Sequence, residues 1–373
     1  MRMMKKHVTK CLLLITLLIS GIKRTTCAQT AVTWPSPETE QMYNQARDYM
    51  SKGNLRQAIP LFQQLVSLAP DQMVVYRDLG NAYYLSGNYE QADKTLTPVI
   101  ESGKADEQCF QVAATTKVAL KEEKKAKKLL AKGIEKFPYS GLLYYQYGKI
   151  YDDTYDQANA LEKWLAGIGA APSYRINYYE AARTYYLTKK PVWAIIYGEI
   201  FINQEQLTPR SYETRKMIMA AYRKIFTTAS NEPVKAFDKS LTIKDPANFE
   251  EAVTQILMKL APVVNDGINT ENLIMLRTRF MMEWQATYAN KYPFTLFSFH
   301  QNLLREGKFD AYNQWLFGKV ENTQQYEGWM KFHPEAIPGL QAWMERHPLQ
   351  PAAADNYNTG KLKGIFPENP YKR

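Results

Sequence analysis

The sequence predicts an all-α fold built from stacked helical hairpins. Residues 76–84 place an aromatic residue, an apolar residue beside glycine, and then tyrosine on one helical face, and residues 144–151 do the same. Similar patterns in the neighbouring segments indicate a repeat period of about 34 residues, which is typical of two-helix units in repeat arrays. Hydrophobic residues make up 45% of the chain, enough for such an array to fold.

Residues 1–28 have the composition of a secretory signal peptide. A basic start precedes a 12-residue apolar run, Cys11–Ile22, which is shorter than the ~20 residues that span a bilayer. The small residues near Ala28 predict cleavage after it and a periplasmic or secreted protein. Lys23 and Arg24 are atypical before such a site, so an uncleaved membrane anchor stays an alternative.

Removal of this segment changes the charge of the chain. The formal net charge of +10 includes six basic residues within residues 1–28, and without them 41 basic and 37 acidic residues remain, a net charge of +4. This balance gives little support to nucleic acid as a partner. Cleavage also leaves Cys109 as the one cysteine, so no internal disulfide is expected and a buried apolar role is favoured.

Five repeat units are predicted over residues 39–208, after a linker at residues 29–38. Each unit contains two helices joined by a tight turn. Gly53 and Gly87 occupy the turn in the first two units, where glycine adopts a helix-ending conformation at little cost. The units are Thr39–Gln72, Met73–Asp106, Glu107–Ser140, Gly141–Tyr174 and residues 175–208.

One position in the first helix of every unit holds a small residue. A small side chain lets this helix approach its neighbour closely, and larger side chains one turn away fill the remaining space. The third unit departs from the pattern, because Lys117 replaces an aromatic residue and Lys121 replaces the turn glycine. The small residues are Ala46, Gly80, Ala114, Gly148 and Ala182.

This arrangement resembles the tetratricopeptide repeat (TPR) family. The second unit is the closest match, although Lys104 stands where the family has a closing proline. The resemblance covers roughly half of the chain and implies a right-handed superhelical solenoid whose first helices line a concave surface. In this family, peptides or extended segments of protein partners often bind that surface.

The chain after the fifth unit is predicted to be a helical extension, residues 209–348. Prolines punctuate it, and residues 227–247 have the composition of an irregular linker. A degenerate TPR-like hairpin is expected near residues 293–317, and residues 349–373 are expected to form an irregular tail. The predicted helices are Tyr212–Phe226, Phe249–Leu260, Glu271–Ala289 and Glu335–Glu345.

The resemblance implies that a protein or peptide partner binds a concave groove rich in tyrosine, with a cation in most units. Tyrosine and arginine are the side chains most enriched at binding hot spots. Arg77 and Asn81 share a helical face and resemble half of a carboxylate clamp, but Gln108 and Val112 replace its other cations. The residues expected to face inward are Tyr43, Arg47, Arg77, Asn81, Tyr84, Tyr145, Lys149, Tyr179, Arg183 and Tyr186.

The sequence contains no motif for catalysis, cofactor binding or metal binding. His-Glu-x-x-His, Cys-x-x-Cys, phosphate-loop and nucleophile-elbow patterns are all missing. His300 with Glu306 is a weak candidate for an acid–base pair, and Asp152, Asp153 and Asp156 are better explained by a solvated turn than by a cation site. Two alternatives to a scaffold stay open: an enzyme with its site in residues 227–373, and a membrane-attached assembly factor.

Overall fold

The computed structural model describes residues 33–227, 245–358, 362 and 364–366. The predicted signal peptide, the start of the predicted linker and most of the linker at 227–247 lie outside the described residues, as does the end of the tail. Among the described helices, none combines the length and apolar character needed to cross a bilayer.

Ten helices form five consecutive hairpins, in which each helix packs against the next. The prediction of an all-α solenoid of helical hairpins is confirmed. The first helix starts at Pro37, just before the predicted unit, because Ser36 is its N-cap and forms a capping box with Thr39. The hairpins are α1 (Pro37–Ser51) with α2 (Leu55–Leu68), α3 (Met73–Leu85) with α4 (Tyr89–Glu101), α5 (Glu107–Ala119) with α6 (Glu123–Lys136), α7 (Gly141–Asp152) with α8 (Gln157–Ala170), and α9 (Arg175–Tyr186) with α10 (Pro191–Gln204).

The small residue of each first helix lies in the contact between the two helices of the hairpin. All five small residues are buried. A Cβ atom on Gly80 would lie 2.5 Å from Leu96 Cγ, and one on Gly148 would lie 2.2 Å from Trp164 Nε1. Atoms cannot approach so closely, so glycine at these two positions sets how near the helices can pack.

A residue with positive φ ends the first helix of four successive units. Its φ is 75° at Gly53, 81° at Gly87, 63° at Lys121 and 59° at Tyr155. The third and fourth units therefore keep the left-handed turn without the glycine that normally relieves it. The departure at Lys121 changes the residue and leaves the turn geometry intact.

Helix α10 connects the array to the extension. Every residue from Val192 to Ile202 is buried, so this helix has no solvent face. Its partner α9 covers one side, while α11 (Pro209–Phe226) and α12 (Phe249–Lys259) of the extension cover others. One hydrophobic core therefore runs from Ala160 to Ile365 and joins the last two units to the extension.

The extension is helical, as predicted, with two helices that the sequence did not indicate, α16 (Lys319–Glu321) and α17 (Thr323–Phe332). The predicted hairpin near 293–317 is interrupted by a π-helix at Gln314–Gly318. The helices are α11 (Pro209–Phe226), α12 (Phe249–Lys259), α13 (Thr270–Thr287), α14 (Thr295–Arg305), α15 (Phe309–Asn313), α16 (Lys319–Glu321), α17 (Thr323–Phe332) and α18 (Ala336–Arg346).

The described part of the tail is irregular and packed. The ring of Tyr357 stacks on Phe249 with 4.8 Å between ring centroids. The amide of Asn358 donates to the Tyr185 hydroxyl, and the backbone N–H of Lys189 donates to the Ile365 carbonyl at 2.9 Å. The tail therefore ties the extension back to the fifth unit.

The strained turns give a test of the repeat register. Lys121→Gly and Tyr155→Gly should each stabilise the fold by about 1 kcal/mol, because glycine removes the cost of a left-handed side-chain-bearing residue. Chemical denaturation would measure the change. Gly87→Ala is the matched control and should destabilise by a similar amount; equal effects from all three variants would contradict the assigned register.

Candidate functional site

The first helices of consecutive hairpins form one continuous row. Helices α1, α3, α5, α7, α9 and α11 each contact the next member of the row, whereas consecutive second helices of the five hairpins do not contact one another to a comparable extent. The row with the closer spacing is the inner side of a curved array. The exposed face of this row is therefore the candidate groove.

Tyr43 differs from its expected exposure. Its side chain is only 7% exposed, and its hydroxyl donates to Asp78 Oδ2 at 2.7 Å. Burial together with the neighbouring Asp78 carboxylate raises the pKa of Tyr43 to about 12. Tyr43 therefore packs between the first two units. The other nine expected residues are half-buried or exposed: Arg47, Arg77, Asn81, Tyr84, Tyr145, Lys149, Tyr179, Arg183 and Tyr186.

Arg77 links the second unit to the third. Its Nε atom donates to Asp78 at 2.8 Å and its Nη1 atom donates to Asp106 at 2.9 Å. Asp106 also accepts the Cys109 N–H and so caps α5. Because Asp78 and Asp106 already bind this guanidinium, Arg77 is poorly suited to the carboxylate clamp that its spacing from Asn81 suggested.

The other cations of the row also have acidic partners. Lys149 Nζ lies 3.0 Å from Asp152 and 3.2 Å from Asp153. Arg183 Nη1 donates to Glu180 at 2.8 Å. The inner face is therefore lined by ion pairs and tyrosines. Because the charges of each pair offset one another, this face attracts a distant charged group only weakly.

The fourth and fifth units form a pocket of about 240 Å³ at this face. Side chains from α7, α8, α9 and α11 line it, so it lies where two hairpins and the extension meet. Beside the pocket, the Tyr179 ring lies under the guanidinium groups of Arg183 and Arg210, at 5.5 and 5.8 Å. The lining residues are Asp152, Gln157, Trp164, Glu180, Arg183, Thr184, Tyr186, Leu187 and Met217.

Arg183 and Tyr186 of this pocket are among the groove residues predicted from the sequence, whereas Glu180 is not. Burial raises the pKa of the Glu180 carboxyl, although the charges of Arg183 and Lys149 oppose that shift. The signal was present, because Glu180 stands three residues before Arg183 on one helix and such pairs face each other. A buried carboxylate beside an exposed guanidinium gives the pocket both an acceptor and a donor for a peptide.

Four polar side chains of distant segments meet in the core. A single oxygen of Glu199 accepts hydrogen bonds from Arg277, from His300 Nε2 at 2.7 Å and from the Tyr312 hydroxyl at 2.9 Å. His300 does not pair with Glu306, the weak candidate that the sequence offered, because it is buried against Glu199. Glu306 lies exposed at the end of α14.

This cluster borders a cavity of about 40 Å³ whose other walls are apolar. Such a volume holds a few water molecules at most. The cluster brings titratable groups together, as an enzyme site would, but offers no space for a larger substrate. We interpret it as a structural ion pair that joins α10 to α13 and α14.

The charge states of the cluster follow from its burial and its pairing. Burial alone would raise the pKa of Glu199, but the charge of Arg277 and the hydrogen bonds outweigh it and lower the pKa to about 2. Burial lowers the pKa of His300 below its ordinary value. At neutral pH the cluster is therefore an Arg277–Glu199 ion pair with a neutral histidine that donates from Nε2.

The aspartates near the end of α7 serve local structure. Asp152 pairs with Lys149, and Asp156 accepts the Asn159 N–H at the start of α8. Across residues 33–227 and 245–358, no group of three or more acidic, histidine or cysteine side chains is arranged to hold a metal ion. Cys109 is buried, as expected, and burial raises the pKa of its thiol to about 12.

Residues 49–114 match the tetratricopeptide repeat family. This match covers the end of the first unit, the whole second unit and the start of the third. No curated protein matches the chain.

Several solved TPR structures are similar to parts of the chain. A TPR protein from Parabacteroides merdae is 16% identical, covers 69% of this chain and 95% of its own, and has a TM-score of 0.32. PilF from Pseudomonas aeruginosa is 15% identical over 49% of this chain and 88% of its own, with a TM-score of 0.41. YrrB, a TPR protein described as having an unusual peptide-binding site, is 19% identical over 47% of this chain and 90% of its own, with a TM-score of 0.34.

The buried ion pair predicts a large effect from one substitution. Glu199→Gln should destabilise the fold by about 3–5 kcal/mol, because it leaves Arg277 buried without a counter-charge. Urea denaturation would measure this change. The exposed Glu306→Gln is the control and should alter stability by less than about 0.5 kcal/mol; a similarly small effect of Glu199→Gln would contradict the ion pair.

The same cluster predicts a dependence of stability on pH. The pKa of Glu199 in the folded chain lies below its ordinary value of 4.5, so its contribution is present above pH 4.5 and is lost as the pH falls towards about 2. The pKa of His300 lies below 6.5, so stability also begins to fall below that pH. Glu199→Gln should flatten the loss below pH 4.5 when unfolding is measured across this range.

Proposed function

We propose that this chain is an exported scaffold that holds a protein partner in the groove formed by the first helices, without catalysis of its own. The pocket of about 240 Å³ in the fourth and fifth units supports this proposal best. It combines the features of a peptide site: a buried acceptor in Glu180, a donor in Arg183, and an aromatic wall in Tyr186. TPR domains bind protein or peptide partners, which agrees with this assignment.

The groove is held in shape before a partner binds. Ion pairs fix Lys149 and Arg183, and Arg77 bridges two units. At the far end, the extension and the tail lock α9 and α10 in place. A preordered surface loses little conformational entropy on binding, so a modest set of contacts is enough for useful affinity.

The balanced charges favour a polar, extended segment over a strongly charged one. Each cation of the groove already has an acidic neighbour, so a highly acidic or basic partner would gain little net attraction. A peptide with mixed donors and acceptors can instead exchange hydrogen bonds with these pairs, while the tyrosines contact its apolar atoms.

We further propose that the partner is met in the periplasm or outside the cell. The basic start and the short apolar run within residues 1–28 support export. The membrane-attached assembly factor is the alternative, and it requires that this segment stays uncleaved.

Site-specific photo-crosslinking tests the groove. A benzophenone amino acid replaces Tyr145 or Tyr186 in the groove, or Tyr139, which is 80% exposed at a turn, as the control. The two groove positions should give a discrete crosslinked product in the native cells, identified by mass spectrometry, and the turn position should not. A product from the turn position alone would contradict the groove.

The same preparation tests the location. The intact mass of the purified protein should correspond to a chain that begins at Gln29, because cleavage is predicted after Ala28. A mass that retains residues 1–28 would contradict export by a cleaved signal peptide and would favour the membrane-attached alternative.

A further inference from the structure

A second pocket, of about 300 Å³, lies in the extension and is not part of the groove. It is bounded by the start of α13, by the π-helix at Gln314–Gly318 and by α17. It is mostly polar and is much larger than the cavity beside Glu199. A π-helix widens the backbone locally and is often found at functional sites.

Two carboxylates line this pocket. Glu321 Oε2 accepts hydrogen bonds from the N–H and the hydroxyl of Thr270, at the first turn of α13. Glu271 Oε1 accepts one from Gln314. In each carboxylate the second oxygen has no hydrogen-bond partner among the described residues, so both keep acceptor capacity.

Gln314 adds a third acceptor. Its side chain is buried and only 4% exposed, and its Nε2 atom donates to Glu271 at 2.9 Å. Since an ionised carboxylate can only accept, this contact fixes the orientation of the amide. The carbonyl oxygen of Gln314 lines the pocket and has no partner among the described residues. This oxygen therefore keeps acceptor capacity for a donor that enters the pocket.

Two aromatic side chains also line the pocket. The rings of Tyr326 and Trp329 lie nearly parallel, with an interplanar angle of 18°, and one face of Trp329 is stacked on His333 at 4.7 Å. Gly318 lets Tyr326 approach, because a Cβ atom at Gly318 would lie 2.6 Å from Tyr326 Cδ2. Faces of tyrosine and tryptophan attract cations.

The described residues that line the pocket include no basic side chain. Arg215 is the cation whose charge acts on Tyr326, but it does not line the pocket, and its guanidinium lies over the Trp315 ring at 4.6 Å. Among the described residues, the lining therefore combines three open acceptors on two carboxylates and an amide with two aromatic side chains, and it contains no basic side chain.

We propose that this pocket binds a guanidinium group, supplied by an arginine side chain of a protein partner. A guanidinium is planar, carries one positive charge and presents five donors, so it can satisfy both carboxylates and the Gln314 carbonyl while it stacks on an aromatic ring. This site is separate from the proposed groove and does not depend on it.

Small probes test the chemistry with the mature full-length chain. The peptide acetyl-Gly-Arg-Gly-amide should bind saturably at about millimolar concentration by isothermal titration calorimetry. The same peptide with citrulline, which keeps the shape and lacks the charge, should bind at least ~10-fold more weakly. Equal binding of the two peptides, or no binding of the arginine peptide, would overturn the proposal.

Variants locate the site. Glu271→Gln and Trp329→Leu should each weaken binding of the arginine peptide by about fivefold or more. The first variant removes a negative charge and the second removes an aromatic ring. Glu283→Gln is the matched control on the same helix, since Glu283 pairs with Lys259 at 2.8 Å and lies outside the pocket. If Glu271→Gln has no more effect than Glu283→Gln, the site is wrongly placed.

Two further comparisons separate the sources of the cation and the two sites. Agmatine is a small free compound with a guanidinium group, and the arginine peptide should bind at least as tightly as agmatine does. Binding of agmatine without binding of the arginine peptide would overturn the assignment to a protein partner. Arg183→Ala in the groove should leave binding of the arginine peptide unchanged. A loss of binding in this variant would show that the peptide binds the groove instead.

Discussion

The close approach of paired helices at one small residue per unit is the constraint on which the array depends. At Gly80 and Gly148 the facing side chain occupies the space that a Cβ atom would need, so the helix separation is set by backbone against side chain. The equivalent residues Ala46, Ala114 and Ala182 are also fully buried, so every hairpin has a small residue at this position of its first helix. Each hairpin therefore has a fixed helix separation, and the inner row is built from these hairpins.

At the end of the array, α10 is not covered by a sixth hairpin of the same kind. The helices of the extension cover it instead. Helix α10 is buried under α11 and α12, and its Glu199 pairs with Arg277 and His300 from two other helices. A buried ion pair adds little net stability over an apolar contact, but it disfavours wrong packings because a misplaced partner leaves a charge alone.

The repeat region could be predicted because its determinants are local and periodic. The roles of the small residue Gly148 and of the turn residue Gly87 can each be predicted from the sequence of a single unit. The clusters in the extension could not be predicted, since Glu199 and its partners Arg277, His300 and Tyr312 lie far apart in sequence and no pattern pairs them. Tyr43 was misplaced because one helical face borders both the groove and the next unit, and its hydroxyl found Asp78 across that boundary.

The most direct test of the close-approach constraint is the stability of Gly148→Ala, measured by chemical denaturation. Gly148→Ala should lower the free energy of unfolding by about 1–3 kcal/mol, because the added methyl overlaps Trp164. The double variant with Trp164→Leu should be more stable than the sum of the two single effects, because the smaller side chain removes the overlap. Gly328→Ala, a helical glycine with open space around it, should be neutral or slightly stabilising. If Gly148→Ala behaved like Gly328→Ala, the constraint would be contradicted.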